Sequence, residues 1–417
     1  MRPDRDKYPG HQAYPVKIMK QSIYVVDDQT SVLEMTVMVL RRLGRDWEVT
    51  GFSDPQTALA AIREKAPHAI LTDQVMPGME GSELLEKVRL ISPSTLRFIM
   101  SGCVSLSKLT LITSAHQYIA KPFDLAKIQS LFKRSFAAQQ RIQNHGLESV
   151  ATSLRSIPSL PQIHHSLLKE LDDDQSHSET IARLIGADPG LSIKVLQLAN
   201  SSLFGQGRLI TDLTDAISCL GTDLLTAIIL SQSVFHHYEG IKHPEIDLTR
   251  LWSHCWETAC IAQRLCREKK LPNPAGEETF LAGLLHEVGR FILVDNFPDQ
   301  FQTACDNALR SGAPLAASLR EVFQSSPFQL SAYVLELWGM PPCVVDSVSH
   351  LDEPETDASP DFSAASALYI AHQIASKTSP ADAFPVEPWK KDYLKSIGCL
   401  DQIAQWEKQL PSQSPRA

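Results

Sequence analysis

Short runs of consecutive apolar residues punctuate the first third of the chain, and each stops at a polar side chain. Ile23-Tyr24-Val25-Val26 runs into Asp27-Asp28, Ala69-Ile70-Leu71 into Thr72-Asp73, Phe98-Ile99-Met100 into Ser101-Gly102, and Tyr118-Ile119-Ala120 into Lys121-Pro122. Unbroken runs of this length predict strands buried on both faces, as parallel strands are. Between them Leu33, Val37 and Leu40 fall at helical spacing before Gly44, Ser53-Asp54-Pro55 opens a second helix, and Asp124 caps a third. Strand and helix in alternation predict an α/β fold with a doubly wound parallel sheet, whose functional groups gather at the C-terminal ends of its strands.

Past a polar connecting stretch from Gln143 to Ser156 the pattern becomes helical only. Ser178-Glu179 starts a helix carrying Ile181, Leu184 and Ile185, and Asp188-Pro189 starts another with Leu191, Val195, Leu196 and Leu198. A proline-containing stretch from Ala383 to Pro388 precedes helical spacing at Leu394, Ile397, Leu400, Ile403, Trp406 and Leu410. The organisation expected is a flexible tail over 1–20, an α/β domain over 21–140, a helical linker over 141–155, an all-α domain over 156–380 and a C-terminal helical extension and tail over 381–417.

Composition narrows the class. With 417 residues, 43% hydrophobic and 21% charged, the chain is long enough for more than one core. No apolar stretch reads as a membrane span or a secretory signal, so a cytoplasmic protein is expected. Eight cysteines without Cys-x-x-Cys spacing read as buried thiols of a reducing compartment. A net charge of -9 and no strongly basic helix argue against DNA as a partner.

The acids carry the first chemistry. A hard dication such as Mg²⁺ takes oxygen ligands and keeps several waters, so Asp28, Asp73 and a main-chain carbonyl suffice, with Asp27 assisting through water. Singly, Ser101 is a strand-end hydroxyl, Tyr118 an edge residue and Lys121 a turn lysine. In order, with the Met76-Pro77-Gly78 turn, the set resembles the receiver domain of two-component response regulators. The resemblance implies a five-stranded flavodoxin-like sheet in which Asp73 accepts a phosphoryl group from a histidine kinase or phosphotransfer protein. It further implies Mg²⁺ held by Asp27, Asp28, Asp73 and the Val75 main-chain carbonyl, with Ser101, Tyr118 and Lys121 as phosphoryl-contact and switch residues.

The helical half has its own signature: Ile157-Pro158-Ser159-Leu160-Pro161, Ala187-Asp188-Pro189-Gly190-Leu191, Leu198-Ala199-Asn200-Ser201, Leu251-Trp252-Ser253-His254 and Ala282-Gly283-Leu284-Leu285-His286-Glu287-Val288-Gly289. These segments resemble the HDOD domain, an all-helical relative of the HD phosphohydrolases. The resemblance places His254 and His286 at metal-ligand positions, Glu287 where the paired Asp stands, and His350 and His372 near the remaining positions. Glu for Asp moves a ligand by roughly 1 Å, and His372 in place of a carboxylate removes an anionic ligand, so a non-catalytic output that binds a signalling partner is expected.

Two alternatives stay open: a phosphorylation-controlled metallohydrolase and a nucleotide-binding sensor. A second metal in the helical domain is also open, against histidines that merely pack between helices. Cognate kinase, downstream target and a homodimer are not decided by the sequence.

Overall fold

The computed structural model describes residues 21–42, 47–101, 114–121, 125–142, 144–154, 166–167, 170–171, 177–200, 209–222, 225, 247–272, 275–357, 359 and 361–410. The expected signals at Gly44, Asp124, Ile157-Pro158-Ser159-Leu160-Pro161 and Ser201 lie outside them.

The first half is a parallel sheet of β1 (Gln21–Val26), β2 (Trp47–Phe52), β3 (Ala69–Asp73), β4 (Leu96–Ser101) and β5 (Gln117–Ala120), in spatial order β2-β1-β3-β4-β5. Its helices are α1 (Thr30–Arg41), α2 (Pro55–Glu64), α3 (Gly81–Ile91) and α4 (Leu125–Arg141). The apolar runs divide between two faces, as the pleat requires. Ile23, Val25, Leu71, Phe98 and Met100 share one core with Leu33 and Val37 of α1 and Phe132 and Phe136 of α4. Tyr24, Val26, Ile70, Ile99 and Tyr118 share the other with residues of α2 and α3. Phe98 and Phe132, both fully buried with ring centroids 4.7 Å apart, illustrate the driving force, each contributing roughly 1.5–3 kcal/mol by leaving water. As expected, Asp54 caps α2, its carboxylate accepting from the Thr57 N–H at 2.8 Å.

The linker is helical but broken. After Arg141 the chain restarts in α5 (His145–Ser153), whose cap Asn144 accepts from the N–H groups of Gly146 and Leu147. Among the described residues the second half is helical: α6 (Ser178–Gly186), α7 (Pro189–Asn200), α8 (Leu213–Leu220), α9 (Leu248–Glu268), α10 (Ala275–Leu285), α11 (Val288–Asn296), α12 (Pro298–Ser311), α13 (Leu315–Phe323), α14 (Pro327–Leu337), α15 (Pro342–Ser349) and α16 (Ala364–Thr378). Asp188 caps α7 by accepting from Leu191 N–H at 3.0 Å, and Asn200 reaches across to the backbone of Ile210, so both serve local structure.

The C-terminal α17 (Lys391–Ser396) and α18 (Ile403–Gln409) are part of the helical body. Trp406 is fully buried and donates its indole N–H to Glu268 of α9 at 2.8 Å. The two halves share a hydrophobic core, because α4 and α5 both pack on α14.

Candidate functional site

Two clusters of chemical groups stand apart in the fold. At the C-terminal edge of the sheet, β1 delivers Asp27 and Asp28, β3 delivers Asp73, and the chain after β5 delivers Lys121. The Lys121 ammonium lies 2.9 Å from Asp27 Oδ2 and 2.5 Å from Asp73 Oδ1. Burial works against this cation, but its bonds to Asp73 and Asp27 more than offset that and raise its pKa. The other oxygens of the two acids accept backbone N–H groups, Asp27 from Gln29 at 2.9 Å and Asp73 from Val75 at 3.0 Å. The carboxylates are thus fixed before any ligand arrives.

Asp28 is the unfinished member. Its Oδ1 is buried without a hydrogen-bond partner, which is costly unless a cation or water completes it. That orphaned oxygen beside the Asp27–Asp73 pair fits a hard dication. Among the described residues the three acids do not close as tightly on one another as the cluster described next. Close backbone approach at Gly81 supports Asp73: a Cβ there would lie 2.1 Å from the Asp73 carbonyl oxygen.

Ser101 ends β4 opposite Ala120, and its side chain lies outside the described residues. Tyr118 is 7% exposed and belongs to the α2–α3 side of the core, where burial pushes its phenol pKa up. Val75 stands exposed just past β3.

The second cluster sits where α9, the turn joining α10 to α11, and α16 meet. His254 Nε2 and His286 Nε2 lie 3.2 and 3.1 Å from His372 Nδ1. Glu287 Oε1 is 3.7 Å from His286 Nε2 and 4.0 Å from His254 Nε2. Burial lowers all three imidazole pKa values, His254 to about 4 and His286 to about 3, with Arg290 pressing each further down. Glu287 moves the other way: burial raises its pKa while Arg290 opposes the rise. His254, Glu287 and His372 line one wall of a cleft that also takes in Arg290, Phe328 and Asp382.

Here one expectation is corrected. His350 does not join His254, His286, Glu287 and His372. It terminates α15 instead, its Nδ1 2.7 Å from the Asp346 carbonyl, and lines a different cleft beside Arg141 and Tyr333.

Sequence reading missed Arg290 and Asp382. Arg290 Nε is 2.9 Å from Glu287 Oε2 and its Nη1 2.7 Å from Asp382 Oδ2. The i,i+3 spacing of Glu287 and Arg290 was a usable signal; Asp382 carried none.

Family models match both halves of the chain. The model of the response regulator receiver domain matches residues 23–133, and that of the HDOD domain matches 157–354. The DNA-binding response regulator MtrA of Mycobacterium tuberculosis strain H37Rv is 36% identical over 123 residues, covering 28% of this chain and 53% of that protein. The DNA-binding transcriptional regulator NtrC of Salmonella typhimurium is 32% identical over 126 residues, 29% of this chain and 26% of its own. The chain therefore spans about half, or less, of the length of these curated relatives. Among solved structures, the MmoQ response regulator of Methylococcus capsulatus is similar over 60% of this chain and 98% of its own, at 24% identity and a TM-score of 0.47.

Proposed function

With a receiver domain joined to an HDOD domain the chain is built as a response regulator, and we propose that Asp73 is its phosphoacceptor and the helical half its non-catalytic output. The observation that carries this reading is the Lys121 ammonium set between Asp27 and Asp73, 2.5 Å from the latter.

An Asp73 carboxylate oxygen attacks the phosphorus of a phosphohistidine on a kinase or phosphotransfer protein. The P–N bond breaks, its electron pair returns to the imidazole, and Asp73 becomes an acyl phosphate. Asp27, Asp28, Asp73 and the Val75 main-chain carbonyl would hold Mg²⁺, which when bound offsets charge on the phosphoryl oxygens. In this reading Lys121 follows the transferred group and Ser101 acts as a phosphoryl contact. The added charge of about −1.5 to −2 competes with Asp27 for the ammonium.

Lys121 immediately follows β5, so its movement reaches that strand. On β5, Tyr118 is packed in the core and Gln117 donates to the Glu336 carbonyl of α14 at 2.9 Å. A coupling of about 1–3 kcal/mol along this strand changes partner affinity several-fold to a hundred-fold. The output then works by binding a signalling protein. The Arg290 guanidinium paired with Glu287 supports a binding output over a catalytic one. Free thiols among the described residues suit a cytoplasmic setting.

Incubation with acetyl phosphate and Mg²⁺, read by mass spectrometry, tests the assignment. One phosphoryl group is expected on the wild type and none on Asp73→Asn; labelling that survives this substitution refutes it. A pull-down with phosphorylated and unphosphorylated protein then tests the output, and identical sets of bound proteins would remove the binding role.

A further inference from the structure

Two imidazoles in the helical half aim lone pairs at one point. His254 Nδ1 lies 3.1 Å from the Ser379 carbonyl and His286 Nδ1 lies 2.6 Å from the Gly283 carbonyl. A carbonyl accepts only, so each Nδ1 carries the proton and each neutral ring presents a bare Nε2 inward. Holding a ring through its far N–H to a backbone oxygen is how metal-ligating histidines are oriented.

Both lone pairs point at His372 Nδ1, 3.2 and 3.1 Å away. A single proton there satisfies one of them and leaves the other facing it unpaired. Glu287 Oε1, fully buried, has no hydrogen-bond partner either and stands 3.7 and 4.0 Å from the same two nitrogens. Four donor atoms thus lie within 4.8 Å of one another. A tetrahedral zinc with bonds of about 2.0–2.1 Å has ligand–ligand edges of about 3.3 Å. The two N–N separations to His372 are already near that value, and an inward movement of the carboxylate within the 4.8 Å set closes it.

We propose that His254, His286, His372 and Glu287 bind one Zn²⁺ ion in a four-coordinate site that staples α9, the α10–α11 turn and α16 together. Three imidazoles and one carboxylate are the donor set and geometry zinc prefers over hard cations. Arg290, 2.9 Å from Glu287 Oε2, holds the second carboxylate oxygen and fixes Oε1 toward the nitrogens; Asp382 balances its charge. All four positions are taken by protein, so the ion is structural or regulatory and supplies no open position for an attacking water. The site goes beyond the phosphoacceptor function and does not depend on it.

The test uses the full-length chain, stripped with dipicolinate and titrated with Zn²⁺ against a chromophoric chelator, then with Co²⁺ for its visible spectrum. One equivalent, a tetrahedral Co²⁺ spectrum and an affinity about 100-fold weaker in His372→Ala are expected, with uptake unchanged in His350→Ala, whose ring lies outside the cluster. Uptake below a tenth of an equivalent, an octahedral spectrum, or equal affinity in His372→Ala overturns the proposal. Should His372→Ala fail to fold, X-ray absorption of the zinc-loaded wild type decides between nitrogen-rich four-coordination and any other shell. Acetyl phosphate labelling of His372→Ala separates this result from the phosphoacceptor reading, since labelling persists whichever way the zinc result falls.

Discussion

His116 Nε2 lies 2.7 Å from the main-chain oxygen of Thr152, a contact that crosses from the sheet to α5 and so to the helical half. The ring's state is fixed by its other nitrogen, because Nδ1 accepts the Arg97 N–H at 2.9 Å and Nε2 must therefore be the donor. Arg97 Nη2 donates to the same Thr152 carbonyl at 2.7 Å, and the Thr152 hydroxyl bonds Tyr333 OH of α14 at 2.7 Å. Gln197 of α7 donates to the His116 carbonyl at 3.0 Å. Immediately before β5, with Tyr118 two residues on and Lys121 five, His116 ties the strand beneath the acid pocket to three helices.

This junction gives stability a pH dependence. Burial, and then Arg97, hold the His116 pKa well below 6.5, so the folded ring stays neutral while the unfolded one protonates near that value. The contribution is complete above the unfolded pKa and is lost as pH falls below it, at up to about 1.4 kcal/mol per pH unit. Urea unfolding at pH 7.5, 6.5 and 5.5 should show the wild type losing about 1 kcal/mol more than His116→Gln over the last interval. Equal slopes would exclude His116 as the source.

Arg134 of α4 and Glu336 of α14 form an ion pair on the same boundary, with the Glu336 side chain only 7% exposed. Burial raises the Glu336 pKa and Arg134 opposes it. Arg134→Ala strands a buried carboxylate and should cost about 2 kcal/mol, less than a fully buried pair because the arginine is partly in water. Combining it with Glu336→Gln should recover at least about 1 kcal/mol in a double-mutant cycle. Strict additivity of the two substitutions would show that the pair does not hold the halves together.

Much of this was legible in the chain. Apolar runs ending in Asp28, Asp73 and Lys121 can only bring those groups to one edge if the strands run parallel in one sheet, and the sheet does so for Asp27, Asp73 and Lys121. The helical cluster was less legible, because a histidine's helix says nothing about which way its face will turn. His372 and His350 looked equivalent in sequence, yet α16 turns one into the cluster while α15 ends with the other bonded to its own last turn. Arg290 and Asp382 lie 92 residues apart, and no local pattern announces a partner at that separation.

Lys121 should matter more to the response than to the metal. Lys121→Ala removes the cation between Asp27 and Asp73 and leaves the carboxylates less neutralised, so calorimetric Mg²⁺ affinity should stay the same or rise. Acetyl phosphate should still label Asp73, while the change in hydrogen exchange along β5 and α14 that phosphorylation causes in the wild type should vanish. An unaltered exchange response in Lys121→Ala would take the lysine out of the signalling path.

Gly289, two residues after Glu287, explains how the turn carrying His286 reaches its place. A Cβ on it would stand 2.0 Å from the Pro327 carbonyl oxygen and 3.0 Å from Ser331 N, both backbone atoms of α14 that cannot step aside. The close approach lets Gly289 N–H donate to Ser331 Oγ at 2.7 Å while that hydroxyl reaches the His286 carbonyl at 2.6 Å, pinning the turn from both sides. Gly289→Ala must push α11 off α14 and should cost about 3 kcal/mol or more. Ser331→Ala removes only the peg and should cost about 1–2 kcal/mol. Chemical denaturation of both variants checks the order: a Gly289→Ala protein as stable as Ser331→Ala would mean that the helices separate freely and that the turn is not held by their contact.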